Sequence, residues 1–187
     1  MKTLILRDQK AWLAWLRRNH AASVGVWLRI ARKSAKVRSV SYPQAVDAAL
    51  CFGWVDGQKK KGEEDYWLQR FTPRSARSGW SRINREKAVR LIQRGQMKPA
   101  GLRQVEKARR DGRWDRAYDS PRGARIPADF AAVLKRMPRA KAFFAALDRR
   151  NRYAVLYRIQ TAKKAETRSR RIRQFAAMLS RREKIHA

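Results

Sequence analysis

A chain of 187 residues that is 44% hydrophobic and carries seven tryptophans can close a real core and is too apolar for wholesale disorder. Its 47 Lys and Arg against 15 Asp and Glu give a net charge of +32, which points to a polyanionic partner, nucleic acid ahead of anionic lipid. One cysteine excludes an intrachain disulfide, and no apolar run reaches the length of a signal peptide or a membrane span, so the expected compartment is the cytoplasm. Arginine outnumbers lysine 32 to 15 and alanine is abundant, a pattern that G- and C-rich codons also produce on a solvated surface.

The first helix is predicted over Asp8–Asn19, with Asp8 as N-cap and Trp12, Trp15 and Leu16 at helical spacing. His20 follows as a surface or capping residue. Val24–Arg32 alternates: Val24, Val26, Leu28 and Ile30 share one face, and Gly25, Trp27 and Arg29 the other, as in a half-buried strand. Lys33–Arg38 reads as a basic turn. A second helix is expected over Ser41–Gly53, with Ser41 and Gln44 at capping-box spacing, Pro43 in the first turn and Gly53 as C-terminal cap.

Trp54–Asp56 and Tyr66–Thr72 read as two strands joined by a polar loop, Gly57–Asp65. In the second, Trp67, Gln69 and Phe71 face one way and Tyr66, Leu68 and Arg70 the other. Thr72–Gly79 is a basic loop, and helices are expected over Ser81–Arg94 and Ala100–Arg110. The loop Asp119–Ile126, with Pro121 and Gly123, reads as a boundary. Four helices follow, opened by Pro127, Pro138, Asn151 and Ala165; the last sets Ile172, Phe175, Ala176 and Leu179 on one stripe. The predicted architecture is α+β: an N-terminal lobe over 1–118, a small antiparallel sheet packed by helices, then an all-helical C-terminal lobe over 127–187.

Several blocks resemble the YdeI/OmpD-associated family: CFGWVDGQ (51–58), DYWLQRFTPR (65–74), WSRIN (80–84), PAGL (99–102), RWDRAYDSP (113–121), NRYAVLYRIQTAKKAETRSRRI (151–172) and EKIH (183–186). The resemblance implies a bacterial protein whose helical C-terminal module is associated with bacteriocin protection, and it brings no catalytic residues. The family name also implies an outer-membrane porin partner and resistance to cationic antimicrobial peptides. A porin partner calls for the periplasm, whereas no export signal stands at the N-terminus.

The densest constellation for binding is Trp67, Arg70, Arg74, Arg77, Trp80, Arg82, Asn84 and Arg85, since aromatics can stack on bases while guanidiniums hold phosphates. The bland reading makes Trp67, Phe71 and Trp80 core and the arginines solvated. A second basic surface lies on Lys163–Arg182, with Arg170 and Arg173 facing away from the apolar stripe. The rival is a small-molecule or enzyme pocket around Cys51, Trp54, Asp56, Trp67 and Arg70. Cys51 sits among Leu50, Phe52 and Trp54, as a packing residue would, and Asp56 reads first as a strand-end turn residue. With no Walker loop, GxGxxG, HExxH, CxxC or GxSxG, no cofactor and no metal are expected. The expected function is non-enzymatic: protection against bacteriocins or antimicrobial stress by binding a polyanion, nucleic acid above all.

Overall fold

The computed structural model describes residues 1–187, and the chain divides into two compact units: residues 1–80 with 84–115, and residues 81–83 with 116–187.

In the N-terminal unit, α1 (Gln9–Asn19) connects β1 (Thr3–Ile5) to β2 (Val26–Ala31), and the two strands pair in parallel. After α2 (Tyr42–Cys51) come β3 (Trp54–Lys61) and β4 (Tyr66–Pro73), an antiparallel hairpin, followed by α3 (Arg82–Gln93) and α4 (Pro99–Arg110). The sheet order is β1-β2-β4-β3. Nothing in the sequence marks Thr3–Ile5 as a strand; three residues are too few for alternation to show, and pairing with β2 is what orders them.

Local signals set the helix ends. Asp8 caps α1, its Oδ1 accepting from the Ala11 N–H at 2.8 Å, and this bond holds its carboxyl below the usual range. Gln44 reaches back to the Ser41 N–H at 3.2 Å as the spacing implied. Gly53, at φ +74°, turns the chain out of α2 into β3.

The pleat decides what is inside. Val26, Leu28 and Ile30 of β2 and Gln69 and Phe71 of β4 are buried, on the face that meets the helices. Trp12 lies there with its ring 5.7 Å from Phe71 and 6.2 Å from Trp54. The indoles of Trp12 and Trp54 donate to backbone carbonyls, Trp12 to Ala45 and Trp54 to His20, each at 3.1 Å, so these two N–H groups are satisfied beneath the sheet. His20, the C-cap of α1, contacts the Leu16 carbonyl through Nδ1 at 3.0 Å, a capping role. Helix α4 approaches α2 so closely that a Cβ on Gly101 would stand 2.4 Å from the Cys51 carbonyl oxygen. That approach explains the glycine of the PAGL block, two residues after Pro99, which suits the first turn because its missing N–H would be unbonded there anyway.

The loop predicted for Gly57–Asp65 is shorter than expected. β3 runs on to Lys61, with a register shift between Asp56 and Lys59, and only Gly62–Asp65 turns the chain. Three lysines suit an edge strand, whose free side repels other edges, and a bulge supplies the bend. Lys59 covers Trp67 at 4.3 Å and Lys60 covers Trp27 at 4.7 Å.

The C-terminal unit is helical: α5 (Ala128–Lys135), α6 (Pro138–Ala146), α7 (Arg149–Gln160) and α8 (Ala165–Ser180). They enclose one core containing Phe130, Phe144, Leu156, Ile159, Ile172 and Leu179, with the two phenyl rings edge to face at 5.4 Å. Buried Asn151 explains the terminal EKIH block: its Oδ1 accepts from the Ile185 and His186 N–H groups at 3.1 and 2.9 Å, fixing the end of the chain to α7.

Candidate functional site

The sheet has a second face. The pairs Trp27↔Arg70, Arg29↔Leu68 and Ala31↔Tyr66 are set opposite to the buried series, as are Thr3 and Ile5 of β1 and Lys60 of β3. None of these residues is buried; Ile5 is 51% exposed. The face therefore presents two aromatics, Trp27 and Tyr66, and three cations, Arg29, Arg70 and Lys60. Its acidic neighbour is Glu63, which accepts from Arg29 at 2.9 Å. Trp27 and Tyr66 lie on adjacent strands, about four residues or ~13 Å apart along the strand direction.

The residues singled out between 67 and 85 do not share one surface. Arg70 is on the open sheet face and Arg77 is exposed in the loop after β4. Trp67 is half-buried at the rim of the inner face, against Tyr42 at 5.6 Å. Arg74 and Trp80 are inside: Arg74 is 5% exposed, stacks on the Trp80 ring at 3.7 Å and donates to the Gly79 carbonyl at 3.0 Å. Trp80 meets Trp114 at 5.0 Å, and Arg85 donates to the Trp114 carbonyl at 3.2 Å. Beside them buried Arg113 donates to the Ser78 carbonyl at 2.8 Å and pairs with Asp111. These guanidiniums close the loop after β4 onto the end of α4; they supply donors that a Lys, with its point charge, could not spread over a ring and a carbonyl together. Asn84 donates to Asp56 at 3.5 Å, and Arg82 segregates with the C-terminal unit. Arg170 and Arg173 are exposed on α8.

Cys51 and Trp54, 5% and 1% exposed, offer a ligand no surface. Asp56 accepts from the Tyr42 hydroxyl at 2.7 Å near the protein surface, so the three share no opening. Burial pushes the Cys51 thiol up to about 11, the opposite of what a nucleophile needs. The folded chain is accordingly expected to resist thiol reagents at pH 8 and to react at the rate of free cysteine once unfolded in urea. Stoichiometric labelling of the folded protein would show the thiol reaching solvent. No three or more His, Cys, Asp or Glu side chains gather where a metal ion could be held, and no helix is long and apolar enough to cross a membrane.

Trp27, Arg29 and Lys60 stand outside the residues that the sequence singles out for binding. For the first two the signal was present, since alternation through Val24–Arg32 sets them together on the polar face. For Lys60 it was absent, because a lysine run flanked by glycines reads as a loop.

Fold and surface together define a two-unit α+β protein with an open basic sheet face and a separate four-helix unit. Residues 4–104 match a family model described as a domain of unknown function (DUF8412), and residues 124–182 match the one described as Bacteriocin-protection, YdeI or OmpD-Associated. The chain belongs to the first family over more than half its length, and its C-terminal helices are a YdeI/OmpD-associated domain. No curated protein and no solved structure matches it.

Proposed function

We propose that this chain is a cytoplasmic protection protein, as the description of its C-terminal domain suggests, acting through single-stranded nucleic acid held on the outer sheet face. The observation that supports it is Trp27, a partly exposed indole on an open face, with Lys60 over its ring and Arg70 as its cross-strand partner. Bases unstacked from a single strand pair well with indole and phenol rings, while flanking cations take the phosphates. A duplex keeps its bases stacked and offers such a face only its backbone. Net charge of +32 adds a sequence-independent attraction and fast encounter.

Labelled single-stranded DNA, RNA and duplex DNA titrated at two salt concentrations test this. Single strands are expected to bind more tightly than duplex at both. Affinity no better than that of an unrelated basic protein of matched charge, or equal affinity for duplex, retires the reading.

A further inference from the structure

Helices α6 and α8 leave a groove of about 820 Å³ between them on the C-terminal unit. Arg139, Ala142, Phe143 and Ala146 line it from α6, at positions i, i+3, i+4 and i+7 of one helical stripe; Ser180 and Arg182 line it from the end of α8. The stripe covers two turns, ~10 Å of helix. A smaller hollow of about 390 Å³ shares Pro138, Arg139 and Ser180 with the groove and adds Met137. Phe143 is half-buried and both alanines are exposed, so this wall is apolar and open to solvent.

The end of α8 brings a cation to that wall at a conformational cost. The Glu183 N–H returns to the Met178 carbonyl at 3.1 Å and the Arg182 N–H to the Leu179 carbonyl at 3.0 Å, a helix end that ordinarily places glycine at the second of these donors. Arg182 stands there instead at φ +58°, the one non-glycine residue of the chain in the left-handed region. The guanidiniums of Arg182 and Arg139 carry no ion pair and no hydrogen bond, whereas Arg181 beside them is held by Glu183 at 2.8 and 3.0 Å. No acidic side chain lines the groove. The sequence keeps it so: no carboxylate stands between Asp129 and Asp148, or between Glu166 and Glu183.

Charge and shape together choose the occupant. A second copy of this chain, with 47 cationic side chains against 15 acidic ones, would set arginine against arginine. A lipid surface cannot follow a concavity, and a phosphate backbone gains nothing from an alanine wall. A helix with leucine-sized side chains along one face and carboxylates beside them meets every feature. Small alanines let its backbone approach α6, its apolar side chains fill the groove, and its carboxylates reach Arg139 and Arg182.

We propose that the groove between α6 and α8 docks an acidic amphipathic helix of a partner protein. It is an interaction surface of the C-terminal unit and does not depend on the nucleic-acid face of the other unit.

Fluorescence anisotropy on the full chain decides it. The probe is a labelled peptide of about four helical turns, with leucines at i, i+3, i+4 and i+7 and glutamates beside them. Its control has the same composition with leucine and glutamate alternating, so the net charge is identical. The helical peptide is expected to saturate one site per chain and to bind roughly ten-fold tighter than the control, or more. Ala142→Phe fills the groove from an exposed position and should weaken it about ten-fold, whereas Ala145→Phe, exposed on the same helix outside the groove, should leave it unchanged. Arg182→Gly should weaken it about ten-fold and melt no lower than the parent, because glycine suits that backbone. Lys141→Ala, exposed on α6 and away from the groove, removes the same charge and should change nothing. Equal binding of the two peptides, equal losses in the Ala142 and Ala145 variants, or a lower melt for Arg182→Gly overturns the inference. A labelled single strand that displaces the peptide and is itself weakened by Ala142→Phe gives the groove to nucleic acid and overturns it too.

Discussion

Trp27→Ala is expected to weaken binding of a short single strand by roughly ten- to a hundred-fold, because base–aromatic stacking contributes about 1–3 kcal/mol per base. The loss should come without any change in the slope of log affinity against log salt, since no phosphate contact is removed. Arg70→Ala, its cross-strand partner, should do the reverse in kind: a smaller loss at high salt and a slope lower by about one. Trp27 is partly exposed, so the fold survives its truncation, and the folded state can be verified by circular dichroism. Arg77→Ala is the control, being exposed, cationic and off the sheet. If all three variants lose affinity equally and only at low salt, binding is a property of the net charge and the sheet face is an ordinary solvated surface.

Charge alone marks no site here. Exposed Lys or Arg side chains stand on every helix except α2, among them Arg17 on α1, Arg109 on α4, Lys135 on α5 and Arg173 on α8. What distinguishes one surface from another is what lies beside the cation. On the outer sheet face it is a partly exposed ring. Beside Arg82 in the C-terminal unit it is a buried carboxylate, Asp119, that holds the guanidinium in place. In the loop after β4 it is a sealed tryptophan, and there the cation belongs to the fold.

Much of this was legible from side-chain order. Alternation in Val24–Arg32 and Tyr66–Thr72 assigned both strands to their faces, and Asp8, Ser41, Gln44 and Gly53 announced the ends of α1 and α2. Of the four C-terminal helices, two are announced by prolines, Pro127 and Pro138, and the last by its apolar stripe, while the Asp148 cap that starts α7 carries no signal read from the sequence. What stayed hidden depends on distant pairing. Lys59–Lys61 become a strand only because β4 supplies hydrogen-bond partners and Trp67 and Trp27 supply rings. Arg74 and Trp80 read as a nucleic-acid surface because burial of an arginine is rare; Arg74 finds its acceptor within its own loop, at Gly79, but the bond from Arg113 to Ser78 beside it joins segments that sequence does not place together. Arg168 went unmarked among neighbouring arginines; only its pairing with Asp129, which also holds that carboxyl below the usual range, sets it apart.

The packing role of the arginine–tryptophan loop makes the other large prediction. Trp80→Ala removes an indole that is 1% exposed, stacked on Arg74 and in edge contact with Trp114. Truncation of a buried aromatic costs about 3–5 kcal/mol through lost transfer energy and the cavity left behind. Here it also strips the ring from a guanidinium that stays inside, so the upper part of that range is expected. All seven tryptophans fall within the N-terminal unit, so indole fluorescence follows that unit by itself while far-ultraviolet dichroism follows both. Urea titration should show the fluorescence transition of Trp80→Ala moving to lower denaturant, with the remaining, C-terminal part of the dichroism change in place. Below its midpoint the variant should still bind single strands like the parent, because Trp80 takes no part in the open sheet face. A variant that keeps its stability and loses its affinity would transfer the binding role to the loop and leave Trp27 as a bystander.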